Sequence, residues 1–225
     1  MAKQKMKRKE LLKSPDEFLT LTERVTNYVR KHGKIFEYAG MVVAVAAVLY
    51  LGATTYLNYV DKQGQSAYNV AYSQVREDKP DLQKMTALFR KVTEDYGLSK
   101  VSRLVPAQVG YLRYQEKKYT EAVADYDSFL KESGKNSLYR SLSMLALASC
   151  YEEEGKAVKA IDILKELKSN PQNAFMEQTL LSLARLYRLS KQDDKAKEVY
   201  KEFVDRFKKS PFLSVAKAYL DEYAS

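Results

Sequence analysis

LARLYRLSKQDDKAKEVYKEF (residues 183–203) and LASCYEEEGKAVKAIDILKEL (147–167) align at a constant offset of 36, with Ala184 on Ala148, Tyr187 on Tyr151, Ala196 on Ala160 and Tyr200 on Leu164. VGYLRYQEKKYTEAVADYDSF (109–129) carries the same pattern at an offset of 38, through Gly110, Tyr119, Ala122 and Tyr126. Each stretch reads as two helical segments joined by a short polar break. A small residue in the first segment (Gly110, Ala148, Ala184) lies twelve positions before a small one in the second (Ala122, Ala160, Ala196). Both must be small where two antiparallel helices touch. The large side chain four positions later (Tyr126, Leu164, Tyr200) then fills the gap towards the next unit. Self-similarity at a fixed period of this size marks stacked repeats.

These residues resemble the tetratricopeptide repeat, a helix-turn-helix of about 34 residues. The chain departs from that pattern in having no tryptophan, a spacing of 36 to 38, and a turn glycine only at Gly155. The expected fold class is all-α, an α-solenoid of tetratricopeptide-like helix pairs. Its units fall at about 103–135, 139–170 and 174–208. A solenoid of this kind lines a concave face with its first helices and holds extended segments of partner proteins there. Counting from the small packing residue gives Tyr111, Tyr114, Ser149, Glu152, Arg185 and Arg188 as candidate partner-binding residues, with Ala107, Leu145 and Leu181 three positions before it. Tyr111 and Tyr114 would supply stacking and apolar contact, and Arg185 and Arg188 would select acidic or carbonyl-rich stretches. The Lys/Asn arrangement by which some members clamp a C-terminal carboxylate is missing, so that specificity is not expected.

The pattern extends outwards. A degenerate unit is expected over 62–99, with Ala67, Tyr68, Ala71, Tyr72 and Val75 on one face and Leu82, Met85, Phe89, Val92 and Tyr96 after the break at Asp78-Lys79-Pro80. Beyond Pro211, the stripe of Phe212, Val215, Ala216, Tyr219 and Leu220 predicts a capping helix over 212–223. The repeat domain as a whole is expected over 61–225.

Ahead of it, YAGMVVAVAAVLYLGATTY (38–56) runs nineteen residues without a charge. At 1.5 Å per residue such a helix is long enough to cross a bilayer, and a single N-terminal transmembrane helix is expected over 35–60. Residues 1–34 hold ten Lys and Arg against four acids, whereas 57–225 hold 28 against 24. The positive-inside rule therefore keeps the N-terminus cytoplasmic and exports the C-terminal domain. The basic region is long and no small-x-small site follows the apolar run, so an uncleaved signal anchor is expected. Within 1–34, Ser14-Pro15-Asp16-Glu17 reads as a helix start, and Phe18, Leu21, Val25, Tyr28 and Val29 form the apolar stripe of a short amphipathic helix suited to the inner leaflet.

One His (His32) and one Cys (Cys150) leave no nucleophile-base pair and no metal-ligand spacing, and no glycine-rich phosphate loop occurs. No enzyme activity, cofactor or metal is expected. The net charge of +9 is concentrated near the apolar run, which favours anionic lipid over nucleic acid as its partner. A lone cysteine cannot form an internal disulfide, and Cys150, far from the N-terminus, cannot carry an N-terminal lipid anchor.

A short basic N-terminus, the step Lys31-His32-Gly33-Lys34 into one span, a helix with alanines and tyrosines leading out, and divergent repeats together resemble the ancillary subunits of the bacterial Sec translocon. That resemblance implies an inner-membrane protein, N-terminus cytoplasmic and repeats periplasmic, that meets translocon subunits, exported polypeptides or periplasmic chaperones. An envelope-biogenesis scaffold coordinating cell-wall or outer-membrane assembly shares the same coarse layout.

Overall fold

A computed structural model describes residues 17–74, 80–134 and 138–222, with side-chain environments from residue 22 onwards. The expected cap at Ser14-Pro15-Asp16, the side chains of Phe18 and Leu21, Val75 and the Asp78-Lys79 break lie outside the described residues. Among those residues the regular structure is all helical: α1 (Glu17–Lys31), α2 (Gly33–Ser73), α3 (Leu82–Tyr96), a 3₁₀ turn (Lys100–Leu104), α4 (Val105–Gln115), α5 (Tyr119–Glu132), α6 (Leu138–Glu153), α7 (Ala157–Ser169), α8 (Met176–Leu189), α9 (Asp193–Arg206) and α10 (Leu213–Glu222). The chain divides into two compact units, 1–56 and 57–225.

In the first unit, α1 gives way at His32, whose N–H still donates to the Tyr28 carbonyl at 3.0 Å. The Tyr28 ring lies 4.5 Å from His32 and 6.3 Å from Phe36, centroid to centroid. The apolar residues that follow, Ile35, Met41, Val42, Val43, Val48 and Leu49 among them, are exposed. The helix does not end with the apolar run. The expected boundary at 60/61 falls inside α2, which continues to Ser73.

The second unit is built by nearest-neighbour packing, each helix from α3 to α10 resting on the next. This is the contact pattern of a solenoid, in which no unit buries its apolar face alone. The tail of α2 joins it through Ala71, which packs with Met85, Phe89 and Val92 of α3 and with Val105, Val109 and Leu112 of α4. Asp81 caps α3, its carboxylate accepting from the N–H groups of Gln83 (3.0 Å) and Lys84 (2.9 Å). A larger core runs from Ala148 and Ala160 through Leu180, Leu183 and Ala184 to Ala196, Tyr200, Phe203 and Ala216. The second-helix alanines Ala122, Ala160 and Ala196 are fully buried. At Gly110 an added Cβ would stand 3.2 Å from three atoms of the Tyr126 ring, so the small residue there makes room for that aromatic.

The three intra-pair turns share one hydrogen-bond pattern. Lys118 N–H donates to Arg113 O, Lys156 to Tyr151 O and Gln192 to Tyr187 O, while Lys117, Gly155 and Lys191 donate to Tyr114, Glu152 and Arg188 carbonyls. This is the Schellman ending, which places one residue in the left-handed region. That residue is Gly155 (φ +72°) in the middle pair but lysine in the other two, Lys117 (φ +59°) and Lys191 (φ +57°). The sequence shows a turn glycine only once because the other two turns tolerate the left-handed cost on a lysine.

Candidate partner-binding face

The first helix of each pair, α4, α6 and α8, carries the residues singled out by register, and they meet different fates. Tyr111 on α4 is half exposed. Tyr114, one turn on, packs against the buried cluster of Ala122, Tyr126, Leu147 and Cys150, with its ring 5.4 Å from Tyr119, and burial raises its phenol pKa. Leu145 and Leu181 lie partly buried against the main core, and the Ser149 hydroxyl donates back to the Leu145 carbonyl at 3.2 Å. These side chains serve the stacking of helices more than an open surface. An α-helix in a solenoid has two flanks in contact with its neighbours, and side chains near those flanks are drawn into the stacking.

The two arginines are engaged inside the molecule. Arg185 forms a bidentate pair with Glu152 of α6, Nη1 on Oε1 and Nη2 on Oε2 at 2.7 Å, and that hydrogen-bonded carboxylate raises the guanidinium pKa. Arg188 lies over the Tyr219 ring of α10, 4.2 Å from its centroid, and Tyr219 in turn stacks on Tyr200 at 5.2 Å. Both guanidiniums therefore tie consecutive first helices together, α6 to α8 and α8 to α10. An arriving carboxylate has to displace those partners.

Sequence register picked Tyr111 and Ala107 but passed over the α6 residues that open beside them. Tyr139 and Leu142 on α6 are each about half exposed, like Tyr111. With Ala107, Tyr126 and Ala146 they line an apolar pocket of about 320 Å³ between α4 and α6. A second pocket, of about 280 Å³, shares Tyr111 with the first and is otherwise lined by Pro80, Leu82, Met85, Leu112 and Gln115. The tail of α2 borders this region through Tyr68, whose phenol burial pushes up to about 12, with Tyr139 and Tyr72 adding to the rise. Tyr68 also meets Phe89 edge-on at 5.2 Å. The signal available in the sequence was the composition of α6, LYRSLSMLALASCYEE, which has more apolar residues than one buried stripe needs.

Among the described residues no cluster of His, Cys, Asp and Glu could hold a metal ion. Cys150 is fully buried, and burial pushes its thiol up to about 12.

An all-helical solenoid of paired helices with an apolar face on its first helices defines a class whose members generally act as protein-interaction scaffolds and typically lack enzyme activity. Residues 30–223 match the family model of the tetratricopeptide repeat-like domain, and the chain belongs to that family. Among solved structures, it is similar to a tetratricopeptide repeat protein from Parabacteroides merdae (TM-score 0.60, 19% identity, 71% of this chain and 59% of that one). It is likewise similar to a Podosopora anserina putative kinesin light chain with nearly identical TPR-like repeats (TM-score 0.54, 17% identity, 69% of this chain and 82% of that one). The chain thus spans little more than half the length of the Parabacteroides protein, and at these identities the likeness is one of fold. Comparison with curated proteins finds no match.

Proposed function

We propose that this protein is a membrane-anchored interaction scaffold: α2 crosses the bilayer over about residues 35–60, the N-terminus stays in the cytoplasm, and the exported repeats receive partner or client polypeptides next to the Sec translocon. The observation that carries the reading is the apolar part of α2. Its most hydropathic 18-residue window is wholly unburied, so it is not the core helix of the described fold. An apolar surface of that length exposed to water is far larger than soluble monomers carry, and lipid is the solvent that suits it. The asymmetry of basic residues supports the orientation, and the layout shared with ancillary translocon subunits supports the place.

The test is a pair of reporter fusions after Ser225 together with a pull-down. A reporter active only in the periplasm is expected to be active there, and translocon subunits and exported chains are expected to dominate what co-purifies in mild detergent. Activity of a cytoplasm-only reporter at that position rules out the topology. Recovery of cell-wall or outer-membrane assembly proteins in place of translocon subunits would move the scaffold to envelope biogenesis.

A further inference from the structure

Building on the reading of the first-helix face as the client surface, we infer that the two pockets flanking Tyr111 form a paired subsite for an uncharged, extended polypeptide segment with large apolar side chains at positions i and i+2. The pockets measure about 280 and 320 Å³, at or near the lower limit of sites that hold small molecules, and each suits a single side chain. Tyr111 is the one residue common to both linings, so the two pockets adjoin at its ring. In an extended strand, side chains two apart point the same way about 6.6 Å apart, which leaves room for one ring between them.

Charge selects the occupant. Among the described residues neither lining contains Asp, Glu, Lys, Arg or His, and burial raises the phenols of Tyr126 in the larger pocket's wall and Tyr68 beside it. A charged side chain placed there loses its water and finds no counter-charge, so the face accepts apolar residues and rejects acidic and basic ones. Tyr111, Tyr139 and Leu142, each about half exposed, supply the apolar area. The polar groups in the same walls, Gln108 and Ser143 in one pocket and Gln115 in the other, suit a main chain whose N–H and C=O groups are unpaired. A helix satisfies its own backbone and makes no use of them, whereas an extended segment does. This is the composition of a chain that has not folded.

The experiment uses the full chain in detergent micelles and fluorescein-labelled Ser/Gly decapeptides, read by anisotropy. One peptide carries Phe at i and i+2, a second at i and i+1, and a third Asp at i and i+2. The first is expected to bind at least about tenfold tighter than the others. Tyr111→Ala joins the pockets, and the preference between the first two peptides is expected to shrink to about twofold or less. Because truncating a large ring can unsettle the fold, Leu142→Glu serves as a second variant at a half-exposed site, with circular dichroism confirming helix content. It is expected to weaken the Phe-x-Phe peptide about tenfold and to favour Phe-x-Lys. Equal binding of all peptides by the wild type, or wild-type behaviour of both variants, overturns the inference. So does the finding that Tyr111→Ala dissolves a wild-type dimer in sedimentation, since the occupant is then a second copy. Loss of the spacing preference while exported chains still co-purify removes this subsite and leaves the proposed function standing.

Discussion

Gly64, in the stretch of α2 beyond the apolar run, is the position where helix propensity and packing give opposite signs for one substitution. By propensity alone, Gly64→Ala in a helix interior stabilises by about 0.8–1 kcal/mol. The packing says otherwise. A Cβ added at Gly64 stands 2.5 Å from Ser99 Oγ, 2.6 Å from Ser99 Cβ and 3.2 Å from Tyr96 Cβ. The hydroxyl can rotate away, but the Ser99 Cβ moves only with its backbone. That backbone is held by Ser99 N–H on the Tyr96 carbonyl at 2.8 Å, and by the Ser102 N–H at 3.3 Å and Ser102 hydroxyl at 2.6 Å on the Ser99 carbonyl. Helix α2 must therefore lift from the α3–3₁₀ corner. Overpacking of this kind costs about 1–3 kcal/mol, and subtracting the propensity gain leaves a net change between about zero and a loss of about 2 kcal/mol.

Lifting α2 also stretches its neighbouring anchor, the Asp61 carboxylate that accepts from Lys100 N–H at 2.7 Å and meets Lys100 Nζ at 3.1 Å. Urea unfolding of the full chain, with hydrogen exchange read over residues 57–73, measures both effects. Ser99→Gly removes the two closest atoms, so Gly64→Ala with Ser99→Gly is expected to recover about 1–2 kcal/mol relative to the sum of the single changes. A Gly64→Ala protein more stable than wild type by the propensity amount, or a double variant additive within about 0.5 kcal/mol, would refute the contact.

The turns offer a second test, because Lys117 and Lys191 occupy left-handed backbone that Gly155 fills without a Cβ. Lys117→Gly and Lys191→Gly are each expected to raise stability by up to about 1 kcal/mol, and Gly155→Ala to lower it by about 1 kcal/mol, in urea midpoints at constant slope. Loss of stability in both lysine variants would mean that the turns are not left-handed at those residues. A third test uses Cys150, the chain's single cysteine, fully buried with its thiol pushed up to about 12. Its reaction with an aromatic disulfide reagent at pH 8 is expected to be about a thousandfold or more slower than in 6 M guanidinium, since it waits on unfolding. Labelling within seconds in the folded protein would place Cys150 on an accessible surface.

The repeat register was legible because it is a steric requirement repeated along the chain. Wherever two helices of a pair touch, only Gly or Ala fits, and Ala122, Ala160 and Ala196 are fully buried for that reason. The left-handed turns were not legible at Lys117 and Lys191, since lysine carries no signal for positive φ and only the shared hydrogen-bond pattern reveals it. The length of α2 was obscured in the same way: the return of charge at Asp61 suggested a boundary at 60/61, but helix formation depends on backbone hydrogen bonds and continues through Asp61-Lys62-Gln63 to Ser73.

The candidate face shows most clearly what register counting leaves out. Offsets from a packing alanine give a direction around the helix but not which neighbour stands there. At Arg185 and Arg188 the neighbours are Glu152 and Tyr219, which hold the guanidiniums between first helices. The partly exposed Arg185–Glu152 ion pair contributes little stability, about 0–1 kcal/mol, so an arriving carboxylate meets a partly occupied cation there and not a strong trap. At Tyr111, Tyr139 and Leu142 no such partner closes the surface among the described residues, and the three side chains stay half exposed. Affinity at a protein interface comes mainly from a few desolvated aromatic anchors. The proposed client surface therefore centres on the apolar α4–α6 end of the face, while the arginines beyond it tie neighbouring helices together.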